Sequence, residues 1–284
     1  MSIVAPPPDR YALIGHPVSH SWSPFIHGMF ARASQQNMQY RLIEVPPERF
    51  RVEALQFFVD GGKGVNITLP HKQAAAELVN ELTPRAEQAR AVNTITAQSS
   101  GELLGDNTDG VGLLVDLEDN LGLTIADRRV LILGAGGATR GVLGPLLARK
   151  PATLAVANRT LARAAVLAED FAAFGKISIS GFETVEPAAF DLVINATSAS
   201  LQGESPPVPA IVVGATTVCY DMAYAKGDTP FMRWAHQHGA AASYAGWGML
   251  VEQAAAAFLL WRGIQPPTRQ VLELLRSRAS DTRP

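Results

Sequence analysis

The stretch RVLILGAGGATRG, residues 129–141, restricts the fold more than any other part of this 284-residue chain. Val130 to Leu133 is an unbroken apolar run, and a half-solvated strand would instead alternate apolar and polar residues. The run therefore predicts a strand covered on both faces. Gly134 and Gly136 follow directly, and a helix is expected over about 139–149. A strand that turns on glycines into a helix opens a βαβ unit of a mainly parallel sheet. Such glycines let the backbone approach a pyrophosphate at the helix N-terminus. They also serve in a plain strand-to-helix turn that binds nothing. Thr139 stands where the third glycine of G-x-G-x-x-G would be, so the match to a dinucleotide loop is imperfect.

The end of the next strand, TLAVANR at 153–159, narrows the choice. A site for NAD would place a carboxylate about 20 residues beyond the glycine loop, on the ribose 2′-hydroxyl. Here the sequence reads NRTLAR, with Asn158, Arg159, Thr160 and Arg163 and no acid. These groups also suit an ordinary solvated helix start. Two planar guanidinium groups match a phosphate better, which favours NADP.

A similar rhythm precedes this region. YALIG (11–15), YRLIEV (40–45), GVNIT (64–68) and AVNTIT (91–96) read as strands. SPFIHGMFARA (23–33), with Ser23 as N-cap and Pro24 at its first position, and PERFRVEALQFFVDGG (47–62) read as helices. GDNTDGVGLLVDLEDNLGL (105–123) reads as a connecting helix. DLVINAT (191–197) and TVCYDM (217–222) add strands to the second region, and two helices, from GMLVEQAAAAFLLWRG and TRQVLELLRSRA, close the chain before a frayed SDTRP tail. The expectation is an α/β protein of two domains. Residues 1–111 plus 246–284 form one, and a Rossmann-type domain spans 112–245, with the C-terminal helices packing back on the first.

Composition removes several function classes. A net charge of −2 offers no bulk attraction to nucleic acid or acidic membranes. No apolar run is long enough to span a bilayer, and MSIVAPPPDR lacks the form of a secretory signal. The scattered His residues show no metal-site spacing. A single cysteine, Cys219, rules out an intrachain disulfide and suits a reducing cytoplasm.

The first region carries more polar groups than its loops need. In GVNITLPHK (64–72), Asn66 and Thr68 lie two apart and face one way on a strand, with Pro70 ending it and Lys72 just beyond. GHPVSHSWSP holds Ser19, Ser21 and Ser23, AVNT puts Asn93 in mid-strand, and GDNTDG brings Asp106 and Asp109. Each has a plain reading as a cap or a satisfied backbone partner. Together they gather at strand ends, where open α/β sheets bind ligands, and would suit a small polyhydroxylated carboxylate.

GHPVSHSWSP, GVNITLPHK, AVNT, GDNTDG, GAGGATRG, NRT, NATS, YDMAY and GMLVEQA follow one another across nearly the whole chain. In this the sequence closely resembles the shikimate dehydrogenase family. The resemblance implies reversible reduction of 3-dehydroshikimate to shikimate with NADP, in the biosynthesis of chorismate and the aromatic amino acids. It implies that Ser21 and Ser23 bond the substrate carboxylate and that Asn66, Thr68, Asn93 and Gln253 hold its hydroxyls. Lys72 and Asp109 correspond to the catalytic pair, and Tyr224 to a substrate contact from the cofactor side. Gly134, Ala135, Gly136, Gly137, Ala138 and Thr139 would hold the pyrophosphate. Asn158, Arg159, Thr160 and Arg163 would take the adenosine phosphate, and Met222, Gly246 and Met249 would lie near the nicotinamide. A family variant that also uses NAD carries an acid after the second cofactor strand, which NRT lacks.

The reaction so implied sends hydride to the C3 carbonyl carbon while Lys72 protonates the developing alkoxide. Asp109 orients the amine. Whether the amine or a water held by the pair moves the proton stays open, as does the choice of monomer or homodimer. With substrate and cofactor residues in different domains, the chemistry is expected in a cleft that closes against water. Two other readings compete. One is a quinate/shikimate dehydrogenase of broader specificity. The other is a non-catalytic relative that senses NADP or a metabolite, which would have no need of Lys72 and Asp109.

Overall fold

The computed structural model describes residues 6–280. It is an α/β chain with two six-stranded sheets. It divides into two compact units, one running to Thr108 and resuming at Val251–Val271, the other Asp109–Leu250 with the chain from Leu272 on.

The first unit holds strands β1 (Asp9–Gly15), β2 (Met38–Glu44), β3 (Gly62–Ile67), β4 (Glu81–Leu82), β5 (Thr94–Ala97) and β6 (Leu103–Asp106). Its helices are α1 (Ser23–Ala33), α2 (Phe50–Val59), α3 (Lys72–Leu78) and α4 (Pro84–Ala89). Sheet order is β2-β1-β3-β5-β6-β4. β5 runs antiparallel to both β3 and β6, and the other neighbours are parallel. The chain leaves β1 toward β2 on one side and returns to β3 on the other, so the C-terminal ends of β1 and β3 frame a topological switch point.

The second unit contains α5 (Asp109–Val115), which widens into a π turn over Asp116–Asn120, then strands β7 (Arg129–Leu133), β8 (Thr153–Ala157), β9 (Ser178–Ser180), β10 (Leu192–Asn195), β11 (Val218–Asp221) and β12 (Ala242–Ala245). The helices are α6 (Gly137–Ala148), α7 (Leu161–Asp170), α8 (Pro230–Gln237), α9 (Trp247–Arg262) and α10 (Arg269–Ser280), and the division between units falls inside α9. Every neighbouring pair in the order β12-β11-β10-β7-β8-β9 is parallel. This is the doubly wound dinucleotide-binding order, with its switch point between β7 and β10.

The covered strand read from residues 130–133 is β7. Val130 and Ile132 enter one apolar core and Leu131 and Leu133 the other, because successive side chains alternate faces. Cys219 of β11 lies fully buried in the second of these cores, and burial pushes its thiol up to about 12.

Several local expectations are corrected. Ser23 is not the cap of α1: it is the first helical residue, Trp22 precedes it as N-cap, and the Ser21 hydroxyl accepts the Ser23 N–H at 3.2 Å instead. Asn93 sits immediately before β5, which begins at Thr94, rather than in mid-strand, although its backbone still bonds Asp106 and Ile67 on either side. The segment 105–123 is not one helix, because Leu103–Asp106 pair with Thr94–Ala97 as β6 before α5 begins. The helix expected over 47–62 is a 3-10 turn at Pro47–Arg49 followed by α2, and Gly62 already belongs to β3. The tail expected to fray lies, from residue 281 on, outside the described residues.

Candidate active site

In the first unit, four strand ends converge on one edge of the sheet. β1 and β3 arrive there by their C-termini. β5 runs antiparallel, so its first residue Thr94 pairs with Asn66, and Asp106 at the end of β6 pairs with Thr94 in turn. The loops bearing Ser21, Ser23, Thr68, Lys72 and Asn93 therefore start or end at this edge.

Side-chain hydrogen bonds tie these loops together. Ser21 donates to the Ser23 hydroxyl at 3.1 Å. The buried Asn66 amide donates to the Asn93 carbonyl at 3.2 Å and to Thr94 Oγ1 at 3.0 Å, while its oxygen accepts the Tyr40 hydroxyl at 2.8 Å. Asn93 Oδ1 accepts the Thr108 N–H at 2.8 Å, and its amide lies 3.5 Å from Gln253 Oε1. Residues 66, 93, 94, 108 and 253 thus form one polar network.

Lys72 is half-buried and begins α3, its carbonyl accepting the Val92 N–H at 2.8 Å. Its neighbour His71 is buried, stacks on Phe50 and lies 2.7 Å by Nε2 from the Val45 carbonyl. A carbonyl only accepts, so Nε2 carries the proton. Desolvation pulls the His71 pKa down and keeps the ring neutral as an anchor for the helix start. Thr68 is half-buried just beyond β3, its N–H bonded to the Ile14 carbonyl at 2.9 Å.

Asp106 has a structural task. Burial alone would raise its pKa, but the Arg85 guanidinium, bound through Nε and Nη2, and the Thr83 hydroxyl hold it below the ordinary carboxylate value. This pins the chain just before Thr108 and Asp109. Asp109 is buried and opens α5, the first residue of the second unit.

In the second unit the glycine loop leaves β7 at the switch point. Gly134 has φ +107°, and a side chain there would press on Ala196 and Thr197 at the end of β10, so glycine is required. Nothing lies within 4 Å of where a Gly136 side chain would be, which leaves room above the N-terminus of α6. Gly137 and Ala138 form its first turn. Thr139 is wholly buried and donates to the Gly134 carbonyl at 2.9 Å. Its hydroxyl thus fixes the loop from beneath, leaving its side chain no direct contact with a ligand.

After β8, Asn158 donates to the Thr160 carbonyl at 2.8 Å and shapes the turn. Arg159 and Arg163 are exposed, with no carboxylate partner among the described residues. Open space over a helix N-terminus, followed by two available guanidinium groups, fits a dinucleotide with an extra phosphate.

The structure also gathers the segment expected near a nicotinamide. A side chain on Gly246 would meet the Met222 carbonyl at 2.5 Å, and Met222 packs on the core that contains Met249. Tyr224 lies against Trp247, ring centroids 4.7 Å apart. The buried Asp221 holds this segment, accepting from Ser200, Thr229, Asn195 and the Ala223 N–H. Burial raises its pKa, and these bonds offset part of the rise.

Three family models match this chain. The shikimate dehydrogenase substrate binding domain covers residues 13–95, shikimate/quinate 5-dehydrogenase 117–202 and the shikimate 5′-dehydrogenase C-terminal domain 246–276. A shikimate dehydrogenase (NADP(+)) from Methylococcus capsulatus is 52% identical over 270 residues, 95% of this chain and 97% of its own. The chain belongs to the shikimate dehydrogenase family. Among solved structures, an Ael1 enzyme from Pseudomonas putida matches with TM-score 0.86 and 48% identity over 94% of this chain and 98% of that one. The shikimate 5-dehydrogenase from Thermus thermophilus, in complex with NADP(H) and shikimate, matches with TM-score 0.84 and 33% identity over 95% and 99%.

Tyr40, Thr94 and Thr108 belong to the polar network but were not singled out in the sequence. Thr108 sits inside GDNTDG and could have been found there. Tyr40 had no local signal: it lies on β2 and reaches Asn66 across β1. Among the described residues, no helix is long and apolar enough to cross a membrane.

Proposed function

We propose that this chain catalyses the reversible, NADP-dependent reduction of 3-dehydroshikimate to shikimate, with the first unit holding the substrate and the second the cofactor. The observation that carries this reading is the polar network at the strand ends of the first sheet, in which Asn66 and Asn93 are fixed beside the loop that begins α3 at Lys72. Membership of the family and the available space and charge around Gly136, Arg159 and Arg163 support it.

In this reading the Ser21 and Ser23 hydroxyls bond the substrate carboxylate, and Asn66, Thr68, Asn93 and Gln253 take its hydroxyls. NADPH, when bound, supplies the hydride. The Gly134–Thr139 loop holds the pyrophosphate through backbone N–H groups, Asn158 and Thr160 shape the turn for the adenosine phosphate, and Arg159 and Arg163 bond it. Met222, Gly246 and Met249 flank the nicotinamide, and Tyr224 bonds substrate from that side. The Lys72 ammonium stabilises the oxygen on which negative charge develops and gives it a proton, while Asp109 orients the amine and favours its charged form. In the oxidation direction the same pair accepts the proton. A cytoplasmic enzyme without a nucleic-acid partner, working as a monomer or homodimer, agrees with the net charge of −2 and the single thiol.

The test is NADPH formation by purified protein with shikimate, with quinate and without substrate, repeated with NAD. Shikimate with NADP should give by far the fastest rate. Comparable rates on quinate would move the reading to the broader enzyme. No turnover with either alcohol, despite NADP binding, would favour the non-catalytic relative.

A further inference from the structure

Asp116 is a buried acid with no part in the chemistry above. It follows the last residue of α5, about two helical turns beyond Asp109, where the helix widens into its π turn. Such local widenings gather at functional sites. The Tyr220 hydroxyl on β11 donates to Asp116 Oδ2 at 2.6 Å, and the Asn120 amide donates to Oδ1 at 3.1 Å. The Arg276 guanidinium on α10 lies 3.9 Å from Oδ1.

The phenol makes a second bond. A carboxylate only accepts, so the Tyr220 proton is committed to Asp116. The phenol oxygen is left to accept, and it takes the Met249 backbone N–H in the first turn of α9. Burial first, and then the Asp116 charge, push the phenol's pKa well up, so the proton stays on it. The carboxylate presses on the same turn, since a side-chain carbon on Gly248 would land on Asp116 Oδ1. The positive end of a 16-residue helix favours a negative group there. Asp116, Tyr220 and the start of α9 all belong to the second unit, and Tyr220 and Met249 share one apolar core with Leu113 and Leu117.

We propose that Asp116 and Tyr220 are positioning residues for the nicotinamide: the carboxylate, acting through the phenol, fixes the first turn of α9 and so the place of Met249 against the ring. This rests on the reading of Met222, Gly246 and Met249 as the neighbours of the nicotinamide. It also explains Gly248, the residue that lets the carboxylate reach the turn.

Two readouts test it. Tyr220→Phe removes the phenol oxygen and keeps the ring. The Kd for NADP by calorimetry should stay within about twofold, because the glycine loop and the arginines still hold the phosphates. The fluorescence lifetime of protein-bound NADPH should shorten, since its ring is less firmly held, and kcat for shikimate oxidation should fall roughly 2–12-fold, the worth of one neutral hydrogen bond. Asp116→Asn keeps an oxygen that accepts from the phenol and should retain most of both values, whereas Asp116→Ala should not. A role in stability alone would leave lifetime and kcat of the folded variants at wild-type values, and that result would overturn the proposal. Should Tyr220→Phe fail to fold, Gly248→Ala pushes the turn off the carboxylate while keeping every polar group. It should show the same two changes, and wild-type values there would overturn the proposal equally. A wild-type protein that binds NADP but oxidises no shikimate would overturn the functional reading instead, while the lifetime comparison still decides the role of Tyr220.

Discussion

At the strand ends of the first sheet the polar side chains are already bonded to one another: Asn66 to Tyr40 and Thr94, Asn93 to Thr108, Asp106 to Arg85. At the end of β7 the loop offers backbone and open space instead, with its one polar side chain, Thr139, turned inward and exposed arginines waiting after the next strand. An interlocked set of side chains decides which group of a ligand is met by a donor and which by an acceptor. A glycine loop decides only that an anion can approach, and separate cations decide how much charge it carries. Substitutions in the first region should therefore alter chemistry and discrimination, and those in the second should alter cofactor affinity.

The largest contrast is expected from Lys72→Ala. Turnover should fall by roughly 10²–10⁴-fold, the usual size of general acid–base catalysis, with smaller changes in either KM. Steady-state kinetics showing near-normal turnover would remove Lys72 from the chemistry.

The next effect concerns acid stability of the first region. His27 has a folded pKa of about 3 against 6.5 for the free side chain, so the unfolded chain takes up the proton first. Its contribution is complete above pH 6.5 and declines as pH falls toward 3. By pH 4.5 the loss should be about 2–3 kcal/mol. His27→Phe should flatten that part of the acid limb in denaturant titrations run from pH 7 to 4.5. Parallel curves for variant and wild type would contradict it.

Gly134→Ala probes the loop. The backbone conformation and the nearness of Ala196 should together cost about 1–3 kcal/mol, together with a raised KM for NADP and an unchanged turnover number at saturation. The smallest expected change is Arg159→Ala: the KM for NADP should rise about tenfold, as for loss of one charge-assisted hydrogen bond, while that for NAD barely moves. Equal changes for both cofactors would show that Arg159 does not read the extra phosphate.

The same contrast explains what the sequence made legible. The strand–glycine–helix run at 129–141 declares itself because apolar continuity and glycine punctuation are local properties, and so does the arginine pair after β8. Asn66, Thr68 and Lys72 were visible as a spaced polar set. Their partners were not, because Tyr40 is two strands away from Asn66 in the sheet and meets it only once β1 lies between them. β6 was hidden inside a polar loop, since four residues ending in Gly105 and Asp106 show too little alternation to announce a strand. The cap of α1 was misassigned by one residue because a serine followed by proline is the usual cap signal, whereas the helix already begins at Ser23 behind Trp22, with the Ser21 hydroxyl accepting the Ser23 N–H.

Cys219 provides a different kind of handle. The chain has one thiol, sealed in the core behind β11 and pushed up to about 12 by burial. A thiol reagent therefore has nothing to attack until that core opens. Its labelling rate is a clock for the opening of the second unit alone, wound without adding a probe, and saturating NADP should slow it while the first unit stays unread.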